Sequence, residues 1–466
     1  MSISSLFKPW VEKDDARVAT ETRLRFMPKA SEKVRLFVLA VIIGTITGFA
    51  AAVLKKMIGF IVSWIGPLAI DGQPIWVLMW LPVVGIVLTG IYQRYILHDR
   101  ISHGVDKLVN DMAEKRYLLS AKLTYAPMIA SSLTLGFGGS AGSEGPIAYT
   151  GAAIGSNIGR ICGVSPQTLY LLIGCGAGAG IAGIFKAPIG GALFTLEVLG
   201  MAFTTVSVIA LLAASISAAL MAYVCSGFTL DIAWSHNINF EPSILLWTIA
   251  LGVFCGLYSV YYSVVMKRMR KVYESIKNPW IENIASGLIL AALIFVFPSL
   301  FSEGYDVIGK IINVDWNAPF AESRIPNLSL GDLQLPLVLG GVLLAKCFAC
   351  SASNSGGGVA GDFAPTLFAG AVAGLFFALM VNSLFEMQLP PQVFAYIGMA
   401  GVMSGVIRAP LMALFLTAEM CNGFNFLLPL VAVTMISYGI VMLVTRRKFY
   451  EVHIHMPHIH RHANHQ

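Results

Sequence analysis

Two twelve-residue segments in different halves of the chain match each other without a gap. KAPIGGALFTLE occupies residues 186–197, and RAPLMALFLTAE occupies residues 408–419. Both begin with a basic residue and Ala-Pro, carry threonine at the tenth place and close on glutamate. Self-similarity at a fixed offset indicates a duplicated chain. The sequence therefore predicts a fold built from two related halves.

The composition of the chain places both halves in a membrane. Of its 466 residues, 56% are hydrophobic and 12% are charged, whereas soluble domains carry about 25% charged residues. Residues 1–35 are polar and basic and lack the short apolar core of a signal peptide. We predict an all-α polytopic protein of the cell inner (plasma) membrane, in contact with the lipid bilayer and with both termini in the cytoplasm. The net charge of +6 is spread over loops and tails, so we expect no nucleic-acid partner.

The distribution of basic residues gives the two halves opposite directions. Segments 34–54 and 75–96 are each long enough to span a bilayer, and a basic loop follows them, so the first segment runs from inside to outside. Segment 245–266 instead leads into the densest basic loop of the chain, and segment 284–297 returns to a long acidic loop. The second half therefore starts in the opposite direction, which predicts an inverted repeat.

Four apolar pieces of the first half are cut by glycine, proline and serine to about fifteen residues, too short for a bilayer core of about 30 Å. We expect broken or half-spanning helices buried in protein at these places: 123–137, 147–161, 169–185 and 189–201. The predicted divisions of the chain are a cytoplasmic tail at 1–33, a first repeat at 34–225, a second repeat at 244–450 and a histidine-rich cytoplasmic tail at 451–466.

A glycine-rich stretch, residues 135–155, holds a single acid, Glu144, and no other charged residue. Pro146 favours the first turn of a helix, so Glu144 lies at a helix N-terminus, where free amides and the helix dipole bind anions. A carboxylate there is a tethered anion that occupies the site and leaves it when protonated; the alternative is a carboxylate that only caps its own helix. The repeat partner of GSEGP (142–146) is GDFAP (361–365), so we expect two such helix starts to converge near the membrane midplane.

These motifs resemble those of the CLC chloride channels and proton/chloride antiporters, over about residues 35–450. GSEGP matches the family's G-x-E-G-P, and GDFAP matches its G-x-F-x-P. The resemblance implies the CLC-type inverted-repeat fold, a homodimer with one pore per subunit, and Glu144 as the gating glutamate. It also implies that Tyr450 is the inner tyrosine that contacts the central anion. The anion-binding residues that follow from the resemblance are His103, Gly142, Ser143, Gly145, Gly361, Asp362, Phe363, Ala364 and Tyr450.

Several positions depart from the family pattern. The motif G-S-G-I-P appears here as SHGVD, residues 102–106, so His103 replaces the serine that touches the anion. Ser143 stands where a lysine or arginine is common, which removes a positive charge from the anion path. Asp362 adds an acid beside the anion-binding amides. These changes leave the choice among small anions open.

Val198 decides our functional prediction, because it stands where antiporters of the family have their inner proton-transfer glutamate. Since valine cannot relay a proton, we predict passage of chloride, or a similar small anion, through a glutamate-gated CLC-type channel. A proton-coupled chloride antiporter is the alternative. The titratable candidates for a proton path are Glu144, Glu197, Asp362 and His103. We interpret Glu197 as a buried structural partner of the repeat-paired Glu419.

A different class, an intramembrane serine hydrolase, is a remote alternative, because GGSAG (138–142) fits the pattern G-x-S-x-G. A nucleophilic serine needs a base, and the histidines lie in loops or after residue 452. The C-terminal tail carries histidines that suit a divalent metal: His453, His455, His458 and His460. Tails of this kind more often bind nothing, so we predict no metal site, no cofactor and no enzymatic activity.

Overall fold

The computed structural model describes residues 32–70, 76–99, 101, 104–227, 232, 244–321, 323–325 and 333–445. Over these residues the regular structure is helical, and one isolated β-bridge joins Gly142 to Gly361. Nine helices in this described part are long and apolar enough to cross a membrane. The predicted all-α fold is confirmed.

The described residues of the first half form eight α-helices, three of them short. They are α1 (Glu32–Ile70), α2 (Trp76–Ile91), α3 (Gly104–Ala113), α4 (Ala126–Gly136), α5 (Glu144–Ile161), α6 (Pro166–Phe185), α7 (Pro188–Glu197) and α8 (Thr205–Ser226). The 11 residues of α4 and the 10 of α7 extend only about 15 Å, roughly half the bilayer core. Short helices thus occur in the region where the sequence predicts broken spans.

The prediction of a half-spanning helix at 169–185 is wrong. Helix α6 has 20 residues and is one of the nine helices long enough to cross. Its extra turn comes from a start signal ahead of the apolar run: the Ser165 side chain accepts a hydrogen bond from the Thr168 amide at 3.3 Å, and Pro166 follows in the first turn. Counting only apolar residues misses this polar first turn.

The second half repeats the order of elements. Its helices are α9 (Ile244–Glu274), α10 (Pro279–Val296), α11 (Tyr305–Ile312), α12 (Gln334–Ser355), α13 (Phe363–Phe385), α14 (Pro391–Ile407), α15 (Pro410–Cys421) and α16 (Leu427–Thr445). Lys186 ends α6 with φ 56°, and Arg408 ends α14 with φ 64°, both in the left-handed region. A proline then starts the next helix in both halves. The two matching sequence segments therefore fold alike, while the boundaries of the repeats stay a prediction.

Equivalent glycines hold the central helices of both halves in close contact. A Cβ atom on Gly176 of α6 would overlap the carbonyl oxygen of Gly151 on α5. In the second half, a Cβ atom on Gly398 of α14 would overlap the carbonyl oxygen of Gly370 on α13. Close backbone approach at small residues is the usual packing mode of helices in a bilayer. It fixes α5 and α13, the two helices whose N-terminal ends form the site.

Helices α7 and α15 are joined by two glutamates, one from each half. The Glu419 carboxylate accepts hydrogen bonds from the first free amides of α7, including that of Gly190, at 2.8 and 2.9 Å. The Glu197 carboxylate accepts from the first free amides of α15, including that of Met412, at 2.7 and 3.1 Å. Each glutamate thus caps the helix of the other repeat. This reciprocal contact supports the structural interpretation of Glu197.

We expect Glu197→Ala and Glu419→Ala to destabilise the protein by similar amounts, about 1 to 3 kcal/mol each, because each leaves two helix-start amides without their acceptor. Thermal unfolding of the purified protein in detergent measures this. The ratio of proton to anion flux should be the same in both variants and in the parent protein. A selective loss of proton flux in Glu197→Ala, at unchanged stability, would instead make Glu197 a proton carrier.

Candidate anion-binding site

The site forms where the glycine-rich loop before α5 meets the loop before α13. The amide of Gly142 donates a hydrogen bond to the carbonyl of Gly361 at 2.9 Å, and the amide of Gly361 donates to the carbonyl of Gly142 at 2.6 Å. This pair is the isolated β-bridge of the fold. The two sequence motifs, far apart along the chain, are therefore in direct backbone contact.

The bridge brings the N-terminal ends of α5 and α13 together. Helix α5 starts at Glu144 after Ser143, and α13 starts at Phe363 after Asp362. Neither Ser143 nor Asp362 caps its own helix with its side chain. The backbone nitrogen of Gly145 lies 2.8 Å from where a Cβ atom on Gly361 would stand, so glycine is needed there. Two helix starts whose own N-cap side chains leave the first amides open converge here, which is an arrangement suited to a small anion.

The Glu144 carboxylate lies between these helix starts and is fully buried. Its Oε1 accepts a hydrogen bond from the hydroxyl of Tyr305, the first residue of α11. The backbone amides of Glu144 itself and of Ala364 lie beside the carboxylate, but Oε2 has no hydrogen bond of normal geometry within the described part of the chain. Oε2 faces Gly142, where any Cβ atom would overlap it. A buried carboxylate oxygen with no hydrogen bond of normal geometry costs free energy.

Aromatic and small side chains form the wall at the start of α13. Phe363 is buried and packs edge-on against Phe194 of α7, with ring centroids 5.6 Å apart. Ala364 is also buried, and its Cβ lies 3.0 Å from where a Cβ atom on Gly142 would stand. The predicted residues of both motifs are thus in one place.

The Asp362 side chain is bound by helix α12. Its Oδ1 accepts hydrogen bonds from the Asn354 side-chain amide and, at 3.4 Å, from the Cys350 thiol. The acid therefore anchors the start of α13 to α12.

Lys346 is a site residue that our sequence analysis missed. It lies on α12, is fully buried, and donates a hydrogen bond from Nζ to the Ser140 hydroxyl at 2.9 Å. Its Nζ also stands 4.5 Å from the centroid of the Phe368 ring. Within the described residues no carboxylate forms an ion pair with it. Lys346 therefore places a buried positive charge beside Ser140, two residues before Gly142.

Lys346 also bears on the hydrolase alternative, since lysine serves as the base in some serine hydrolases. Ser140 and Lys346 are both fully buried, and the backbone amide of Ser140 is bound to the Ser353 hydroxyl at 2.8 Å. A substrate from solvent cannot reach a serine buried in this way. The geometry therefore favours a structural and electrostatic role for the pair.

The other predicted residues either fall outside the described residues or lie elsewhere in the fold. His103, Tyr450 and the four tail histidines lie outside the described residues. Glu197 lies at the far end of α7, in its contact with α15, and Val198 follows it. Groups of three or more potential metal ligands are absent from the part of the chain that the structure describes.

A family model described as voltage gated chloride channel matches residues 84–442, which include both glycine motifs. The chain belongs to this family. It is 28% identical over 371 residues to a Ralstonia nicotianae protein named "Putative chloride channel protein ClcB-like", with 78% of this chain and 82% of that protein covered. It is 22% identical over 454 residues to the H(+)/Cl(-) exchange transporter ClcA of Vibrio cholerae, with 94% and 93% covered.

Among solved structures, that of a slow cyanobacterial Cl-/H+ antiporter matches with a TM-score of 0.74 at 23% identity, covering 90% of this chain and 96% of that one. This likeness confirms the CLC-type fold. The protein is a multi-pass membrane protein of a family that transports anions.

Proposed function

We propose that the protein exchanges chloride, or a similar small anion, for protons across the cell inner membrane, with Glu144 as the gate. The observation that carries the proposal is the buried Glu144 carboxylate between the helix starts of α5 and α13. A carboxylate in an anion site competes with the free anion when ionised and leaves when protonated. Anion and proton movements are then linked at one side chain.

The known relatives favour proton exchange over the passive conduction that Val198 predicts. The Vibrio cholerae relative is named an exchange transporter, and the cyanobacterial structure is that of an antiporter. Passive conduction remains the second candidate, because the side chain of Val198 cannot relay a proton. We also propose a homodimer with one pathway per subunit and cytoplasmic termini, as the family resemblance and the basic loops suggest.

Anion and proton flux from proteoliposomes, recorded together at zero membrane voltage, tests the function. We expect an imposed chloride gradient to drive protons uphill in a fixed ratio to chloride. A reversal potential that follows the chloride gradient alone, whatever the pH difference, would replace exchange with conduction. The matched control is liposomes that hold the Glu144→Gln variant, in which the protonated gate is mimicked permanently.

A further inference from the structure

The short segment before α11 contacts two consecutive residues at the start of α5. The Glu303 Oε1 accepts two hydrogen bonds from Ser143, one from its backbone amide at 3.0 Å and one from its hydroxyl at 2.6 Å. Two residues later, the Tyr305 hydroxyl donates to Glu144. The end of this segment and the first residue of α11 therefore bind the gate and the residue that precedes it.

Gly304 sets the direction of these two side chains. Its φ of 85° lies in the left-handed region, and a Cβ atom there would stand 2.6 Å from the Phe368 ring. A residue with a side chain would be strained and would collide with α13. The backbone between Glu303 and Tyr305 is thus fixed against α13, and both side chains reach α5 from this position.

The donors that Glu303 occupies are those that a small anion would use. Ser143 precedes the first turn of α5, so its amide and hydroxyl belong to the anion-binding end of that helix. Ser143 is 1% exposed, whereas Glu303 is half-buried. Glu303 therefore lies between the buried site and solvent, on a loop that the charge distribution assigns to the outside. Its carboxylate fills an anion position one residue away from the gate.

We propose that Glu303 is a second tethered carboxylate, which competes with the transported anion for the Ser143 donors at the outer end of the pathway. This inference rests on the function proposed above. External protons neutralise Glu303 and free Ser143 for the anion. Outward access is then controlled by two carboxylates in series, Glu303 at the mouth and Glu144 behind it.

The charged and titratable groups around Glu303 connect the two carboxylates. Glu144 of α5 interacts electrostatically with Glu303, and like charges in one site disfavour each other's ionisation. Tyr305 follows on the same segment and binds Glu144. Lys55 of α1 has its Nζ 6.0 Å from the centroid of the Tyr305 ring. Glu303 and Glu144 therefore do not gain or lose protons independently, which links external acid to the gate.

Chloride binding to the purified protein by isothermal titration calorimetry tests the proposal without requiring transport. We expect Glu303→Gln to bind chloride about tenfold more tightly at neutral pH, a change typical of removing one charge-assisted competitor. Acid should tighten binding in the parent protein more than in Glu303→Gln. Adding Ser143→Ala to Glu303→Gln should cancel much of the gain, because the hydroxyl, for which a neutral glutamine oxygen competes less strongly than a carboxylate, is then missing. Asp315→Asn, an exposed acid beyond α11, is the matched control and should change nothing.

Equal chloride affinity in the parent, Glu303→Gln and Glu303→Ala proteins, with unchanged thermal stability, would overturn the proposal. If Glu303→Gln unfolds, Glu303→Ala and the acid dependence of chloride binding to the parent protein still test the proposal.

The proposal of proton exchange and the proposal for Glu303 can be overturned independently. Missing proton coupling in the flux assay overturns exchange even when Glu303→Gln binds chloride more tightly, and unchanged binding overturns the role of Glu303 even when coupling is intact.

Discussion

The Glu144→Gln variant is expected to carry anions without carrying protons, at a rate that no longer depends on pH. Glutamine has the shape of protonated glutamate and keeps an oxygen for the Tyr305 hydroxyl, but it neither ionises nor binds a proton. Proton flux should fall by at least about tenfold, the change that corresponds to about 1.4 kcal/mol. Anion flux should stay within a few-fold of the parent. Parallel chloride and pH recordings from proteoliposomes measure both.

The control for this variant is an exposed acid outside the site. Glu386, at the end of α13, is exposed, and Glu386→Gln should retain coupling and pH dependence. Proton flux that persists in Glu144→Gln, in the same ratio to anion flux, would remove Glu144 from the proton path. A pH profile that is unchanged in that variant would also remove it as the competitor for the anion site.

Much of the fold follows from local sequence signals. The gapless match of 186–197 with 408–419 predicts two related halves, and the left-handed residues Lys186 and Arg408 occupy the same place in each segment. Glu144 at a helix start follows from Pro146, because proline without an amide hydrogen suits a first turn. The sequence predicts α6 to be shorter than it is. Its first turn, which follows Ser165, is polar and is therefore left out when only apolar residues are counted toward a membrane span.

The partners of the gate are not predictable from sequence in the same way. Glu303 and Tyr305 lie more than 150 positions after the residues that they contact, where an acidic loop meets the short helix α11. Only the tertiary fold brings that loop to α5. Lys346 is different, because it is a basic residue within the apolar helix α12. The reasoning that singles out Glu144, a lone charge in apolar sequence, also applies to Lys346.

Replacing Lys346 with methionine is expected to reduce anion flux by about 10- to 30-fold and to weaken chloride binding by a similar factor. Ser140, which accepts its hydrogen bond, is two residues from Gly142, so the ammonium lies within about 12 Å of the anion site. At an effective dielectric constant of about 20, a unit charge at about 8 to 12 Å contributes about 1.5 to 2 kcal/mol to anion binding. Calorimetry and anion flux measure the two effects.

Stability separates this electrostatic role from a structural one. A buried cation without a carboxylate partner costs desolvation free energy, so neutral methionine, of similar length, should leave thermal stability unchanged or raise it. Lys346→Arg, which keeps the charge, should retain most chloride binding and serves as the matched control. A Lys346→Met protein that binds chloride normally would show that the charge does not act on the anion. If the stability of Lys346→Met falls and its chloride affinity does not, Lys346 acts through its hydrogen bond to Ser140 and not through its charge. Anion binding then depends on the helix starts of α5 and α13 alone.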